Sequence, residues 1–369
     1  VKKIFTLVTI FAAAFVLSAC SNKPVLHVLN WGDYINMDLV RDFEKEYRVT
    51  VKIDIASSNE AMYTRIERKT TAYDIAIPSD YMVEKLHKEG LLNEIDFTLL
   101  ENYSEDMFLD DFEELRNDFF GDNQKYAIPY FWGTLGIMYT TSKQGIEQAV
   151  TTHGWNVLFN SSLLPTNTKI GMYDSPRDAV AVAQLYLGLD INSTLEAEFT
   201  QVEQALALQR TQFGSQRLTW GTDELKSSIV AKNLDVAVVY SGDFFDQLYI
   251  AEEEGLPLDF KLYVPDYTNI WFDAMVIPTT STQVDLAHAF IDYFLDAEVV
   301  YENSLYVGYC PAHEEAYAML LDDEDMIDII ETYPFYPIKD TPNFNGVIYR
   351  DLGNTIYTRL ASILQNAKV

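Results

Sequence analysis

Val28-Leu29-Asn30-Trp31-Gly32-Asp33-Tyr34 decides how the chain is read. Its apolar first half continues Val25-Leu26-His27 as a buried strand. At its end it delivers an indole, a glycine, a carboxylate and a phenol in consecutive positions. Strands of open α/β sheets turn their carboxyl ends toward a ligand crevice. An aromatic face beside an acid attracts an organic ammonium ion, through cation–π contact and a charged acceptor. A tryptophan at a strand end also serves as ordinary core. The recurrence of the pattern at Trp271-Phe272-Asp273 is what gives it weight.

Outward from that strand the periodicity alternates. Residues 37–47 place Met37, Leu39, Val40, Phe43 and Tyr47 at helical spacing, and 49–55 alternate as a strand. Asn59 is read as the N-cap of a helix to Lys69. A strand over 73–77 ends at Pro78, Ser79 caps a helix over 80–89, and Gly90 closes it. This β-α-β-α-β-α order predicts an α/β fold with a parallel sheet and right-handed crossovers. Residues 126–139 read as two strand-like runs joined by aromatics and two glycines. A crossing between domains and an edge hairpin both fit.

A second α/β pattern follows. It has a strand over 169–173, a helix opened by Ser175 with Pro176 at its first position, and helices over 179–189, 196–210 and 223–232. Residues 235–240 form a buried strand and 242–254 a helix. The tail reads as strands at 261–264 and 272–277, then helices at 283–295, 299–307 and 314–321. A surface loop over 333–342 and a long helix over 346–367 complete it.

The chain's 369 residues, 48% hydrophobic, suffice for two domains with cores of their own. Its net charge of -30 argues against nucleic acid and anionic lipid as direct partners and favours cationic ligands. Solubility accounts equally well for the bulk of it. The acid-dense runs 101–122 and 313–331 read as solvated faces and loops. Cys20 and Cys310 are the two cysteines, and the five histidines are scattered. No disulfide framework, zinc set, dinucleotide loop, phosphate loop or nucleophile elbow can be assembled from them. The expectation is therefore a binding protein, not an enzyme, with no cofactor and no metal.

Lys2 and Lys3 precede an uncharged run to Cys20. The end of that run, Leu17-Ser18-Ala19-Cys20, resembles the bacterial lipobox. The resemblance implies a signal peptide over 1–19, lipid on the Cys20 thiol, a short tether over 20–24, and a membrane anchor. The alternative is an uncleaved anchor. Either way the mature part is extracytoplasmic, in the periplasmic space if the cell has an outer membrane.

Further motifs occur in order between about residues 25 and 350. They are Leu29–Tyr34, Ser58-Asn59-Glu60-Ala61-Met62-Tyr63, Tyr73-Asp74-Ile75-Ala76-Ile77-Pro78-Ser79-Asp80-Tyr81, Ala127-Ile128-Pro129-Tyr130-Phe131-Trp132-Gly133, Ile270–Pro278 and Gly308-Tyr309-Cys310-Pro311-Ala312. Together they resemble the spermidine/putrescine-binding proteins of bacterial polyamine ABC importers. That resemblance implies a type II periplasmic-binding-protein-like fold with two lobes, crossing hinge segments and a ligand cleft between the lobes. It implies one lobe of 25–132 plus 274–312 and another of 133–273 plus 313–369. A monomer that delivers a polyamine to ABC permease subunits is the implied working form. Carried over by position, the ligand shell is Trp31, Asp33, Tyr34, Ser79, Tyr81, Asp178, Tyr240, Trp271, Asp273 and Tyr309. The three acids would pair with ammonium groups and the rings would line the methylene chain. Trp132 is expected to pack between the lobes.

The sequence departs from the family pattern in places. Gly32 stands where Thr or Ser is common, Asp33 where a longer Glu is frequent, and Tyr240 where a Trp is usual. Ser175 takes the place of a further carboxylate, for which Asp174 could substitute. Ser79 and Ser175 also open helices, whose N-termini carry partial positive charge, and Asp80 and Asp178 would offset it. The alternatives are the same fold holding another organic cation such as thiamine, or a neutral solute such as a sugar, and an acidic-surface adhesin or interaction lipoprotein.

Overall fold

The computed structural model describes residues 23–333, 335–337 and 345–369. The signal segment, Cys20 and most of the loop expected over 333–342 lie outside the described residues.

Strands β1 (Val25–Asn30), β2 (Thr50–Ile55) and β3 (Ile75–Ala76) form a parallel sheet in the order β2-β1-β3. Leu26, Val28 and Leu29 are fully buried in β1, which is why the run carries no polar alternation. Helix Met37–Tyr47 turns Leu39, Val40 and Phe43 inward and is capped by Asn36, whose side chain accepts from Asp38 N. Helix Asn59–Arg68 is capped by Ser58, one residue before the expected Asn59: Ser58 Oγ accepts from Ala61 N at 3.1 Å.

Asn59 has another task. Its Nδ2 donates to Ser79 Oγ at 2.9 Å and its Oδ1 accepts from Ser79 N at 3.0 Å. Ser79 is thus clamped at the mouth of helix Asp80–Lys88 and makes no side-chain cap of its own. β3 is shorter than the sequence suggests because the chain beyond Ala76 pairs with a distant segment, through antiparallel bridges Ala76–Val276 and Ser79–Asp273.

The second sheet comprises β4 (Ile128–Thr140), β5 (Ile170–Tyr173), β6 (Leu218–Gly221), β7 (Val236–Tyr240), β8 (Phe260–Tyr263), β9 (Tyr267–Met275), β10 (Cys310–Pro311) and β11 (Asn345–Val347). Its order is β11-β9-β4-β7-β5-β6, with β8 and β10 also on β4. β4 is a single strand of 13 residues, all buried, so 126–139 is not a hairpin. Its first half lies antiparallel to the end of β9, whose Asp273 bridges to Ser79 and whose continuation at Val276 bridges to Ala76, while its second half pairs with β7 and β8. β4 and β9 therefore run side by side from one sheet into the other. An irregular register between Pro129 and Trp132 marks the passage.

Two expected boundaries shift for identifiable reasons. β9 begins at Tyr267, upstream of 272, because Thr268 and Asn269 are buried polar residues whose side chains bond to backbone. Thr268 Oγ1 donates to Leu135 O at 2.9 Å and Asn269 Nδ2 to Val347 O at 3.0 Å. The closing helix is Gly353–Lys368; residues from 346 first complete β11 beside β9. That helix buries Leu360, Ile363 and Leu364 and is tied by Arg359 to Glu196 and Glu203. The described part of 333–342 is no surface loop. Phe335 packs edge-on to Phe245 at 4.9 Å and Tyr336 against Trp132 at 5.1 Å. Trp132 is fully buried and also meets Phe112 at 5.2 Å.

The β4–β9 contact is tight at Gly133. A Cβ there would stand 2.7 Å from Ser241 Oγ and 2.9 Å from the Trp271 ring. Gly133→Ala is expected to cost about 1–3 kcal/mol of stability. Denaturant unfolding checks it, with a lowered midpoint and an unchanged slope.

Candidate ligand-binding site

The carboxyl ends of β1, β5, β6 and β7 and the first turns of the following helices converge on a cavity of about 190 Å³. All ten residues named from the sequence line it. β1 runs into Trp31, Asp33 and Tyr34. Tyr34 is buried, whereas Asp33 stays exposed at the mouth, with φ 49°. Ser79 and Tyr81 come from the start of helix Asp80–Lys88, and Asp178 from the first turn of helix Pro176–Leu187. Tyr240 ends β7, and Tyr309 precedes β10.

β9 supplies the opposite wall by strand alternation. Asn269, Trp271 and Asp273 face the cavity. The intervening Phe272 packs on Phe112 at 5.3 Å. Trp271 stands edge-on to Tyr240 at 5.5 Å and to Tyr309 at 5.2 Å, and Tyr34 meets Tyr309 at 5.4 Å. Gly242 is obligatory beside this box, because a Cβ there would collide with the Tyr309 ring.

The cavity is acidic where water is scarcest. Burial pushes Asp273 up to about 7, against the nearby polar groups of Ser79, Tyr34 and Trp31, which lower it. Burial also raises Asp178, opposed by Ser175, Tyr240 and Tyr349; Tyr349 Oη donates to its Oδ1 at 3.1 Å. Among the described residues, Asp273 Oδ1, Tyr34 Oη and both indole Nε1 atoms of Trp31 and Trp271 are buried without a partner at hydrogen-bond geometry. Such clustered orphans are rare in protein interiors and are characteristic of binding surfaces.

Sequence reasoning missed several wall residues. Asp243 follows the end of β7 by one helical turn, as Asp178 follows β5, and that shared grammar was the available signal. Burial lifts Asp243 to about 6, although the Lys226 ammonium draws it down. Asp223, Lys226, Tyr173 and Tyr349 also line the cavity, and Tyr349 arrives from a segment expected to be helical. Asp174 does not substitute for the carboxylate lacking at Ser175. It pairs with Lys368 at 2.7 Å and lies outside the cavity wall. Asp80, Asp178 and Asp243 sit in the first turns of helices that begin at the cavity. They oppose the positive ends of those helices, so the site is unsuited to anions. Among the described residues no group of His, Cys, Asp or Glu is placed to hold a metal, and no helix is long and apolar enough to cross a membrane.

Residues 38–329 match the family described as bacterial extracellular solute-binding protein. The chain belongs to that family. It is 26% identical over 362 residues to the putrescine-binding periplasmic protein SpuD of Pseudomonas aeruginosa, covering 92% of this chain and 94% of that one. A solved structure from Listeria monocytogenes, named as a spermidine/putrescine ABC transporter, superposes with a TM-score of 0.77 at 34% identity, over 94% of this chain and 99% of that one. The spermidine/putrescine transporter substrate-binding protein PotD of Streptococcus pneumoniae gives 0.71 at 29%, over the same shares. The fold is thus the mixed α/β, periplasmic-binding-protein-like one.

In this solute-binding protein the acids of the site oppose stability. Asp273 is protonated in both folded and unfolded chains below about pH 4. As pH rises toward 7, the unfolded chain ionises first, so ligand-free stability is lost across that window. Asp273→Asn is expected to raise ligand-free stability at pH 8 by an amount of the order of a few kcal/mol and to change little at pH 4. Denaturant unfolding at the two pH values measures the difference.

Proposed function

We propose that this extracellular solute-binding protein captures linear polyamines, putrescine or spermidine, and delivers them to ABC permease subunits. The observation that carries the reading is the set of buried carboxylates Asp178, Asp243 and Asp273 in one cavity walled by Trp31, Tyr240, Trp271 and Tyr309. A slender polycation satisfies both features at once. Its ammonium groups offset charges that are costly to bury, and its methylenes lie against rings. A neutral or anionic solute leaves those charges uncompensated. The names of SpuD, PotD and the Listeria protein support the same ligand class.

The lobes delimited from the sequence then close about β4 and β9. Contacts across the cleft are consistent with a closed form. Asp351 N donates to Glu84 at 3.0 Å, Lys85 Nζ to Asn354 at 2.7 Å, and Lys88 pairs with Asp351 at 3.4 Å. Cys20 is the lipid attachment in this reading, residues 20–24 form the tether, and the protein acts as a monomer. No chemistry is done on the ligand.

Calorimetric titration with putrescine and spermidine tests the reading. Micromolar or tighter binding is expected. Asp178→Asn and Asp273→Asn should each weaken it about a hundredfold or more, since each leaves a buried ammonium unpaired. Glu105→Gln, in the solvated acidic run, should leave it unchanged. Absence of heat with both amines would end the proposal.

A further inference from the structure

A lysine lines this acidic cavity. Lys226 belongs to the short helix Glu224–Val230, and its side chain is only 11% exposed. Its Nζ lies 2.9 Å from Asp246 Oδ2 and 3.5 Å from Asp243 Oδ1. Asp243 is held in place as well: its Oδ2 accepts from Tyr240 N at 3.0 Å and its Oδ1 from Tyr309 Oη at 3.5 Å.

The charges around the cavity can therefore be assigned. Among the described residues, Asp178, Asp243 and Asp273 are its buried carboxylates and Lys226 is the cation in its lining, shared between Asp243 and Asp246. Asp33 is exposed at the mouth, where water screens it, whereas Asp223 is raised by partial burial and drawn down by the Lys226 ammonium. Behind the wall, burial raises Glu60, while the Tyr81 hydroxyl and the Arg177 guanidinium draw it down. That guanidinium stacks on Tyr349 at 4.0 Å. Asp80 accepts from Tyr81 N at 2.6 Å, is raised by its burial, and lies outside the cavity lining. Among the described residues, Asp243 is thus the buried carboxylate of the cavity with a cation in direct contact; Asp178 feels the Arg177 guanidinium only through space, and Asp273 has no ion pair.

We infer that Lys226 occupies the third ammonium seat of the cleft, leaving Asp178 and Asp273 for the ligand, so that the site selects a linear diamine over a triamine. The inference rests on the polyamine reading above and narrows it. A third ammonium directed to the Asp243 end would meet Lys226 instead of a bare carboxylate. Like charge at close range in a dry site is a strong discriminator. A diamine meets no such repulsion, because its two charges match the two carboxylates that remain.

Calorimetry on the full chain decides the matter with three amines: putrescine, spermidine and N-butyl-1,4-diaminobutane. The last keeps spermidine's length and replaces its aminopropyl nitrogen with carbon. The wild type should bind putrescine about tenfold or more tighter than spermidine, and should bind the butyl analogue tighter than spermidine. Lys226→Gln should move the putrescine-to-spermidine ratio about tenfold or more toward spermidine, and Lys226→Arg should restore the wild-type ratio. A purely structural ion pair would lower stability in Lys226→Gln without moving that ratio. A wild type that prefers spermidine, or a folded Lys226→Gln with an unchanged ratio, overturns the inference and leaves polyamine capture standing. If Lys226→Gln does not fold, the wild-type comparison of spermidine with its butyl analogue decides. A wild type that binds none of the three overturns the polyamine reading and this inference together.

Discussion

Burying several carboxylates of one sign in one cavity is the constraint on which the rest of the structure depends. An isolated buried carboxylate costs several kcal/mol unless it is paired, hydrogen-bonded or protonated. The chain uses each of these means in a different place. Asp178 receives the Tyr349 hydroxyl, Asp243 receives a backbone N–H and the Lys226 ammonium, and Asp273 is raised into the neutral range. Asp178 and Asp243 also lie at the positive ends of helices, which lowers their cost further. None of these devices suffices without a rigid frame. The frame is the β4–β9 pair, fully buried along β4 and too close at Gly133 to admit a methyl group.

The frame explains why so much of the site was legible in the sequence. Strand ends carry ligand groups in open α/β sheets, and the sequence marks strand ends clearly. Trp31, Asp33 and Tyr34 follow β1 directly, and Trp271 and Asp273 share one face of β9 by simple alternation. All ten residues that the family resemblance implied line one cavity; strand ends account for Trp31, Asp33, Tyr34 and Tyr240, and alternation along β9 for Trp271 and Asp273. What stayed hidden depended on tertiary partners. Thr268 and Asn269 look like turn residues, yet side-chain-to-backbone bonds bury them in a strand. Tyr349 comes from the far end of the chain, where no local pattern announces an inward turn. Lys226 reads as one charge among many on an exposed helix, because only the fold brings Asp243 and Asp246 beside it. Asp174 shows the converse: adjacent to the right position in sequence, it points to Lys368.

The aromatic walls and the acids serve different ends. Rings such as Trp271 and Tyr309 bury a large area at little entropic cost and tolerate any thin apolar chain laid against them. They fix the shape of the slot but say little about which slender ligand enters. Charge placement does the discriminating, since a misplaced ammonium is penalised far more than a misplaced methylene. The departures at Gly32, Asp33 and Ser175 fall on the charged and hydroxylic part of the shell, and the aromatic framework is largely kept. A site built this way can change its preferred ligand through a few polar positions while its packing stays the same.

On the proposed polyamine reading, the same electrostatics links occupancy to closure of the two lobes. Bringing the lobes together removes water from Asp178 and Asp273, and without a cation that step is uphill. A bound polyamine reverses its sign, because each ammonium replaces lost hydration with a direct charged contact. The cross-cleft contacts at Glu84, Lys85 and Lys88 with Asp351 and Asn354 are few and partly exposed. The Lys88–Asp351 pair is half exposed on the lysine side and contributes little, so on the proposed reading these contacts accompany closure without enforcing it. The ligand's differential affinity for the two forms then sets the balance, as any population shift requires. In that reading a permease that recognises the juxtaposed lobes would read occupancy without touching the amine, and the buried acids would make the readout selective for cations.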